Sequence, residues 1–176
     1  MTLLPELQVR ALGEIDLEAY KALRDHALAH HAEAFTSDAV TEAQRTAQSY
    51  RRRLGCEGGE GGDFTLGAWR GDRLVGAISC ERDTRTRVRH IGHVVGTMVV
   101  SGEQGLGVGR ALLDALVARV SADEEVHQLT LSVTAGNVAA IRLYESAGFT
   151  RYGTQPRATR VGGRYLDRDL MQLDLR

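Results

Sequence analysis

The sequence predicts an α/β (α+β) fold in which a mixed central β-sheet of six to seven strands is flanked by about four helices. Three observations carry this prediction. From Ile91 to Val133 an apolar β-branched run, a glycine turn, a helical stripe and a second β-rich run follow one another, the order of a βαβ unit with parallel strands. From Phe64 to Cys80 two runs of period two flank Arg70-Gly-Asp-Arg73, which makes an antiparallel hairpin. Apolar residues at helical spacing mark three further stretches.

Leu7 to Leu12 reads as a short edge strand. Asp16 is placed to cap a helix from Leu17 to His30, where Leu17, Tyr20, Leu23, Ala27 and Leu28 form one stripe. His26 and His30 share a face of it, but no acid or cysteine has the spacing of a further metal ligand, so they read as surface histidines. Ser37 or Asp38 caps a second helix, Val40 to Leu54. It ends in Arg51-Arg52-Arg53, cations that suit a helix C-terminus better than they argue for phosphate. Gly55 to Gly62, five glycines among two glutamates and a cysteine, is expected to be a mobile loop.

The hairpin pairs Phe64 to Ala68 with Leu74 to Cys80, and five arginines between Arg70 and Arg87 fall on turns and strand ends. Ile91 to Val100 is dense enough in β-branched residues to be a strand buried on both faces. Beyond Gly109 the stripe Ala111, Leu112, Ala115, Leu116 and Val120 makes a helix, and Val126 to Val133 the next strand. Asn137 caps a last helix, Val138 to Ala147, with Gly148 at its C′ position. Phe149 to Thr154, Arg157 to Val161 and Tyr165 to Leu175 close an antiparallel region.

With 176 residues, a single domain spanning 1–176 is expected. The charge is nearly balanced, 22 Lys+Arg against 23 Asp+Glu, which gives no reason to expect nucleic acid or a membrane surface as a partner. Cys56 and Cys80 lack metal-ligand spacing and are expected to be reduced. No apolar run approaches the length of a bilayer span, so a soluble cytoplasmic protein, without a metal, is expected.

The informative stretch is Val99 to Leu113, where Gly105, Gly107 and Gly109 precede a helix. Missing Cβ atoms let main-chain N–H groups close around an anion at the positive end of the helix. The dinucleotide fingerprint fails, because its last glycine position falls on Leu112 counted from Gly107 and on Arg110 counted from Gly105. A nucleoside-triphosphate loop fails as well, since Lys21 is the chain's one lysine. What remains, Gln104-x-x-Gly107-x-Gly109 after an apolar strand, resembles the acetyl-CoA pyrophosphate loop of the GNAT superfamily of N-acetyltransferases. A second segment, Asn137-Val-Ala-Ala-Ile-Arg-Leu-Tyr144-Glu-Ser-Ala-Gly148-Phe149, resembles that superfamily's Asn-x-x-Ala-x-x-x-Tyr-x-x-x-Gly-Phe pattern in the same order. Ser101, where many members carry proline, and Leu106, where a basic residue is common, depart from it. Glu33-Ala34-Phe35 and Gly163-Arg164-Tyr165-Leu166-Asp167 with Met171 look like segments of a bacterial subgroup acetylating small amines or of unassigned substrate.

The resemblance implies a GNAT fold and acetyl transfer from acetyl-CoA to a primary amine by direct attack in a ternary complex. It implies that Gln104, Gly105, Leu106, Gly107, Val108, Gly109 and Arg110 hold the cofactor's pyrophosphate. The pantetheine arm would lie along Thr97, Met98 and Val99 and meet Asn137. Tyr144 corresponds to the superfamily's usual general acid, and a phenol of pKa roughly 10 stays protonated at neutral pH. Candidates for the base are His93, on the strand feeding the loop, then Glu81, then a water chain. Cys80 has no paired histidine nearby and reads as a core thiol. The acceptor is expected to be a small-molecule amine, with a protein N-terminus or lysine as other options, and pairing through the C-terminal strands would give a homodimer. A non-catalytic acyl-CoA sensor of the same fold is the competing function, and it could dispense with Tyr144.

Overall fold

A computed structural model of the chain describes residues 5–57 and 62–176. The elements follow in the order β1 (Leu7–Ala11), α1 (Leu17–His30), α2 (Ala39–Ala43), β2 (Phe64–Arg70), β3 (Arg73–Arg82) and β4 (Ile91–Val99). Then come α3 (Val108–Ser121), β5 (Gln128–Thr134), α4 (Val138–Ser146), β6 (Thr150–Val161) and β7 (Arg164–Asp174). Of the loop expected at Gly55 to Gly62, residues 58–61 lie outside the described residues.

The seven strands form one sheet in the order β1-β2-β3-β4-β5-β7-β6. Every neighbouring pair is antiparallel except β4 and β5, which run parallel, as the crossover through α3 requires. The strand count and mixed sheet expected from the sequence are borne out. Two cores cover the two faces. Leu112, Leu113 and Leu116 of α3 and Tyr144 of α4 pack with Phe149 on one. Tyr20, Leu23 and Ala27 of α1 pack with Tyr50, Leu54 and Met98 on the other. No helix of the described residues is long and apolar enough to cross a membrane.

Five local expectations are corrected. Asp16 precedes α1 but does not cap it, because its carboxylate accepts two bonds from Arg10 at 2.8 Å and one from the Gly13 N–H at 2.9 Å. The second helix is not continuous from Val40 to Leu54. Asp38 caps it as expected, accepting from the Thr41 N–H at 2.9 Å, but α2 ends at Ala43 and a 3-10 turn, Ala47–Tyr50, follows. The fold back brings Tyr50 onto Glu42, which accepts from the Tyr50 hydroxyl at 2.6 Å and from Arg24 Nε at 2.7 Å. Arg51, Arg52 and Arg53 are therefore not helix-end cations but pair with Glu14, Asp63 and Glu81. The two strands expected on either side of Pro156 are one, β6, with an irregular register between Gln155 and Thr159 and a positive φ of 52° at Arg157. Finally, β4 is not buried on both faces, and the reason is the site itself.

Candidate functional site

The parallel pairing of β4 with β5 covers Ile91–Gln128, Gly92–Leu129 and His93–Thr130 and then stops. β4 runs on to Val99 and β5 to Thr134, so the sheet opens into a wedge from Val94 onward. Within β4 a bulge sits at the mouth: three steps, Val95 to Met98, oppose two steps of β3, Ala77 to Ser79. Gly96 supplies the left-handed residue it needs, at φ 61°, and such a bulge re-aims the strand. The β5 side of residues 94–99 is thereby left without a strand partner.

At the far end of β4 the chain enters the glycine loop. Gly105 and Gly107 have φ of 76° and 84°, and Gly107 stands at the N-cap of α3 with no side chain capping it. The first α3 N–H with a backbone acceptor is that of Ala111, bonded to the Gly107 carbonyl at 3.0 Å. The N–H groups of residues 107–110 thus have no partner among the described residues and sit at the positive helix end. Gly109 lies against α4, where an added Cβ would approach Leu143 Cδ2 to 3.2 Å. Gln104 lines the groove, and its Nε2 donates to the Val99 carbonyl at 3.3 Å and ties the loop to β4. Leu106 is exposed, Val108 and Met98 are buried in the cores, and Arg110 donates to Asp114 at 2.7 Å and to Ser146 Oγ at 3.2 Å.

A groove of about 500 Å³ runs from this loop past Thr97, Asn137 and Leu143. It shares those three residues with a second cavity, of about 590 Å³, that fills the wedge and reaches Tyr144, His93 and Glu81. Asn137 caps α4, its Oδ1 accepting from the Ala140 N–H at 3.2 Å, which fixes the amide at the junction. Two turns along α4, Tyr144 is buried and packs edge-on to Phe149, ring centres 5.8 Å apart. Burial pushes its phenol above the ordinary tyrosine pKa, while the Thr97 hydroxyl and the Arg168 charge pull the other way and do not cancel it. Thr97 Oγ1 is buried and has no hydrogen-bond partner among the described residues.

The two base candidates stand side by side, as Glu81 of β3 is the register partner of His93 of β4. Neither is free. His93 Nδ1 is 2.8 Å from Thr130 Oγ1, and Glu81 accepts from Arg53 Nε at 2.8 Å. Both also line a third, polar cavity of about 530 Å³ that leads outward past Arg53 and Asp63. Cys80 is fully buried and burial pushes its thiol up to about 12, which removes it as a nucleophile. His26 and His30 stack on the surface of α1 with ring centres 4.1 Å apart.

A sequence profile described as the acetyltransferase (GNAT) family matches residues 20–149, which include the glycine loop, Asn137 and Tyr144. The chain belongs to the GNAT family. Among curated GNAT relatives, the L-methionine sulfoximine/L-methionine sulfone acetyltransferase of Pseudomonas aeruginosa is 37% identical over 73 residues, 42% of each chain. The mycothiol acetyltransferase of Geodermatophilus obscurus is 33% identical over 158 residues, 84% of this chain and 48% of that protein. The chain thus spans less than half the length of these two relatives. Among solved structures, the ribosomal-protein-alanine N-acetyltransferase of Brucella melitensis is 28% identical with a TM-score of 0.82, covering 95% of this chain and 99% of that one. YncA of Salmonella typhimurium, solved with its cofactor acetyl-CoA, shares the fold at a TM-score of 0.83 and 24% identity, covering 97% and 94%.

Three parts of this GNAT wedge were not assigned a place in it residue by residue from the sequence, although Glu33-Ala34-Phe35 resembles a subgroup segment. Ala34 and Phe35 line both arms of the groove. They are held over β5 by the bond from Thr134 Oγ1 to the Glu33 carbonyl, 2.6 Å, a contact between positions 101 residues apart. The Thr97 side chain gave no signal because the resemblance spoke only for main chain there. Arg168 sits in Leu166-Asp-Arg-Asp-Leu170 and reads as a solvated strand residue, yet it is buried and lines the wedge.

Proposed function

We propose that the chain is an acetyl-CoA-dependent N-acetyltransferase, working as one domain, that moves an acetyl group to the primary amine of an acceptor by direct attack in a ternary complex. The observation that carries this reading is the single groove joining a cradle of unpaired N–H groups at the start of α3 to Tyr144, along an unpaired stretch of β4. The residues present fit the cofactor: the cradle is made by left-handed glycines and helix-end amides without internal acceptors, which suit a pyrophosphate. When bound, acetyl-CoA supplies an activated carbonyl carbon and a thiolate leaving group.

In this reading the N–H groups of residues 107–110 hold the pyrophosphate, while Gln104 holds the loop against β4. The main chain of Thr97 to Val99 pairs with the pantetheine arm, and an N–H there polarises the thioester oxygen. Asn137, its Oδ1 committed to the α4 cap, offers its NH₂ to the same arm. Tyr144, kept protonated by burial, donates its proton to the departing sulfur. Glu81 and His93 accept the proton that the attacking amine must lose, directly or through water. The methionine-derived and mycothiol-related acceptors of the named relatives support a small molecule as acceptor, placed in the cytoplasm where acetyl-CoA is made available.

Thermal unfolding with and without ligand tests the reading, followed by release of free thiol from acetyl-CoA with a panel of amines that includes L-methionine sulfone. Acetyl-CoA is expected to raise Tm where NAD and ATP do not, and at least one amine to give thiol release. Absence of any shift with acetyl-CoA overturns it. A shift without turnover on any amine would make the chain a sensor instead.

A further inference from the structure

Six charged side chains are buried among the described residues, and five of them meet an opposite charge. Asp16 meets Arg10, Arg24 and Glu42 meet each other, Glu103 meets Arg70 and Arg73, and Asp169 meets Arg151. Arg168, 8% exposed, is the exception. Its guanidinium donates only to neutral oxygens: from Nε to Ser132 Oγ at 3.0 Å, from Nη2 to the Ser132 carbonyl at 2.6 Å, and from Nη1 to Thr134 Oγ1 at 3.4 Å. One N–H on each terminal nitrogen is left over. Burying a cation without an anion is costly, and here burial pulls the arginine pKa down with no carboxylate to oppose it. A fold that pairs its other buried charges has left this one open.

Its place says where the missing anion comes from. Arg168 lines the wedge beside Tyr144 but not the arm that leads to the phosphate loop, so the cofactor's phosphates are not its partner. On β5, Ser132 lies two residues from Thr130, on the same face of the sheet. Thr130 in turn holds His93, whose neighbour is Glu81. His93 and the unpaired guanidinium are thus tied to one face of β5, at Thr130 and Ser132, backbone positions about 7 Å apart along the strand. Glu81, His93 and Arg168 line the same wedge, an arrangement that suits a molecule carrying both an amine and an anion.

We propose that Arg168 receives the carboxylate of the acceptor, so that the substrate is a small amino carboxylate and not a simple alkylamine or an amino sugar. The assignment rests on the acetyltransferase reading above. A carboxylate entering the wedge completes the coordination of Arg168 and turns its amine toward the carbonyl held along β4. Arginine suits this task because its planar fork can present both remaining N–H groups to one carboxylate.

The test compares thiol release from acetyl-CoA with small amino acids and with their carboxamides, which keep the amine and lose the negative charge, with rates expressed per concentration of unprotonated amine because the amide's amine is the weaker base. The wild-type protein is expected to favour the acids by at least about 10-fold in kcat/KM, the scale of a hydrogen bond to a charged group. Arg168→Gln is expected to lower kcat/KM for the acids about 10- to 100-fold, chiefly through KM, and to bring the acid-to-amide ratio to about one. Arg168→Lys should recover part of the preference. Equal use of acids and amides by the wild-type protein overturns the proposal, and this comparison needs no variant to fold. An unchanged ratio in Arg168→Gln overturns it too, as does a protein that binds acetyl-CoA yet accetylates neither series. Failure of acetyl-CoA to raise Tm is a different result, which removes the acetyltransferase reading itself.

Discussion

A phenol set on the inner face of a helix, against Phe149 and below an unpartnered threonine hydroxyl, keeps its proton well into alkaline solution. That is the situation of Tyr144, whose burial raises its pKa. Replacing it with phenylalanine keeps the packing and removes the proton, so Tyr144→Phe is expected to lower kcat about 100-fold with little change in the KM for acetyl-CoA. Steady-state thiol release measures both. Because an acid works only while protonated, activity should be lost on the alkaline side as pH rises through a pKa above that of free tyrosine. Tyr144 and Asn137 were singled out by the resemblance of their segment to the GNAT pattern, and seven residues of one helix fix their relative placing locally. Arg168 was not. Its neighbours Ser132 and Thr134 arrive from another strand, and nothing local distinguishes a strand arginine that turns into a wedge from one that turns to water.

The glycine loop was legible as an element and α2 was not, for opposite reasons. Gly107 needs φ 84°, a backbone requirement that the residue type itself announces. Gly107→Val should therefore strain the cradle by about 1–2 kcal/mol and raise the KM for acetyl-CoA before it unfolds the protein, as paired kinetic and melting curves would register. α2 is short because a long-range ion pair decides its end. Burial opposes ionisation of Glu42, but bonds from Tyr50, Arg24 and Arg45 outweigh it and hold the carboxyl at about 2. Glu42→Gln leaves the buried Arg24 without its charge partner, and chemical denaturation should reveal a loss of about 3 kcal/mol. No helical period in Val40 to Leu54 could report a partner on α1.

Among the described residues every buried charge but Arg168 is held inside by pairing, and the paired carboxylates set the response to acid. Asp16, Glu42 and Glu103 all titrate below their usual range, with Arg10, Arg24 and the Arg70–Arg73 pair among the groups responsible. A carboxylate whose pKa is lower folded than unfolded stabilises the protein above its unfolded pKa, roughly 4, and that contribution fades as pH falls through the folded value. Tm is therefore expected to hold through neutral pH and to fall steadily from about pH 4.5 toward 2, the value of Glu42. A flat profile over that interval would show that the buried pairs do not contribute as described.

The sequence by itself determined the class of fold, the parallel crossover through α3, the left-handed glycine turn that enters that helix and the placing of Asn137 and Tyr144 on one helix. Each of these is a local property: a period, a glycine that must turn left-handed, or two side chains on one helix. Only the tertiary structure decided that β4 and β5 part after His93, that Glu42 ends α2, and that Arg168 lies buried without a counter-charge. Those depend on strands and helices meeting across many residues, and the energy of a buried charge is set by what surrounds it, which no stretch of sequence contains.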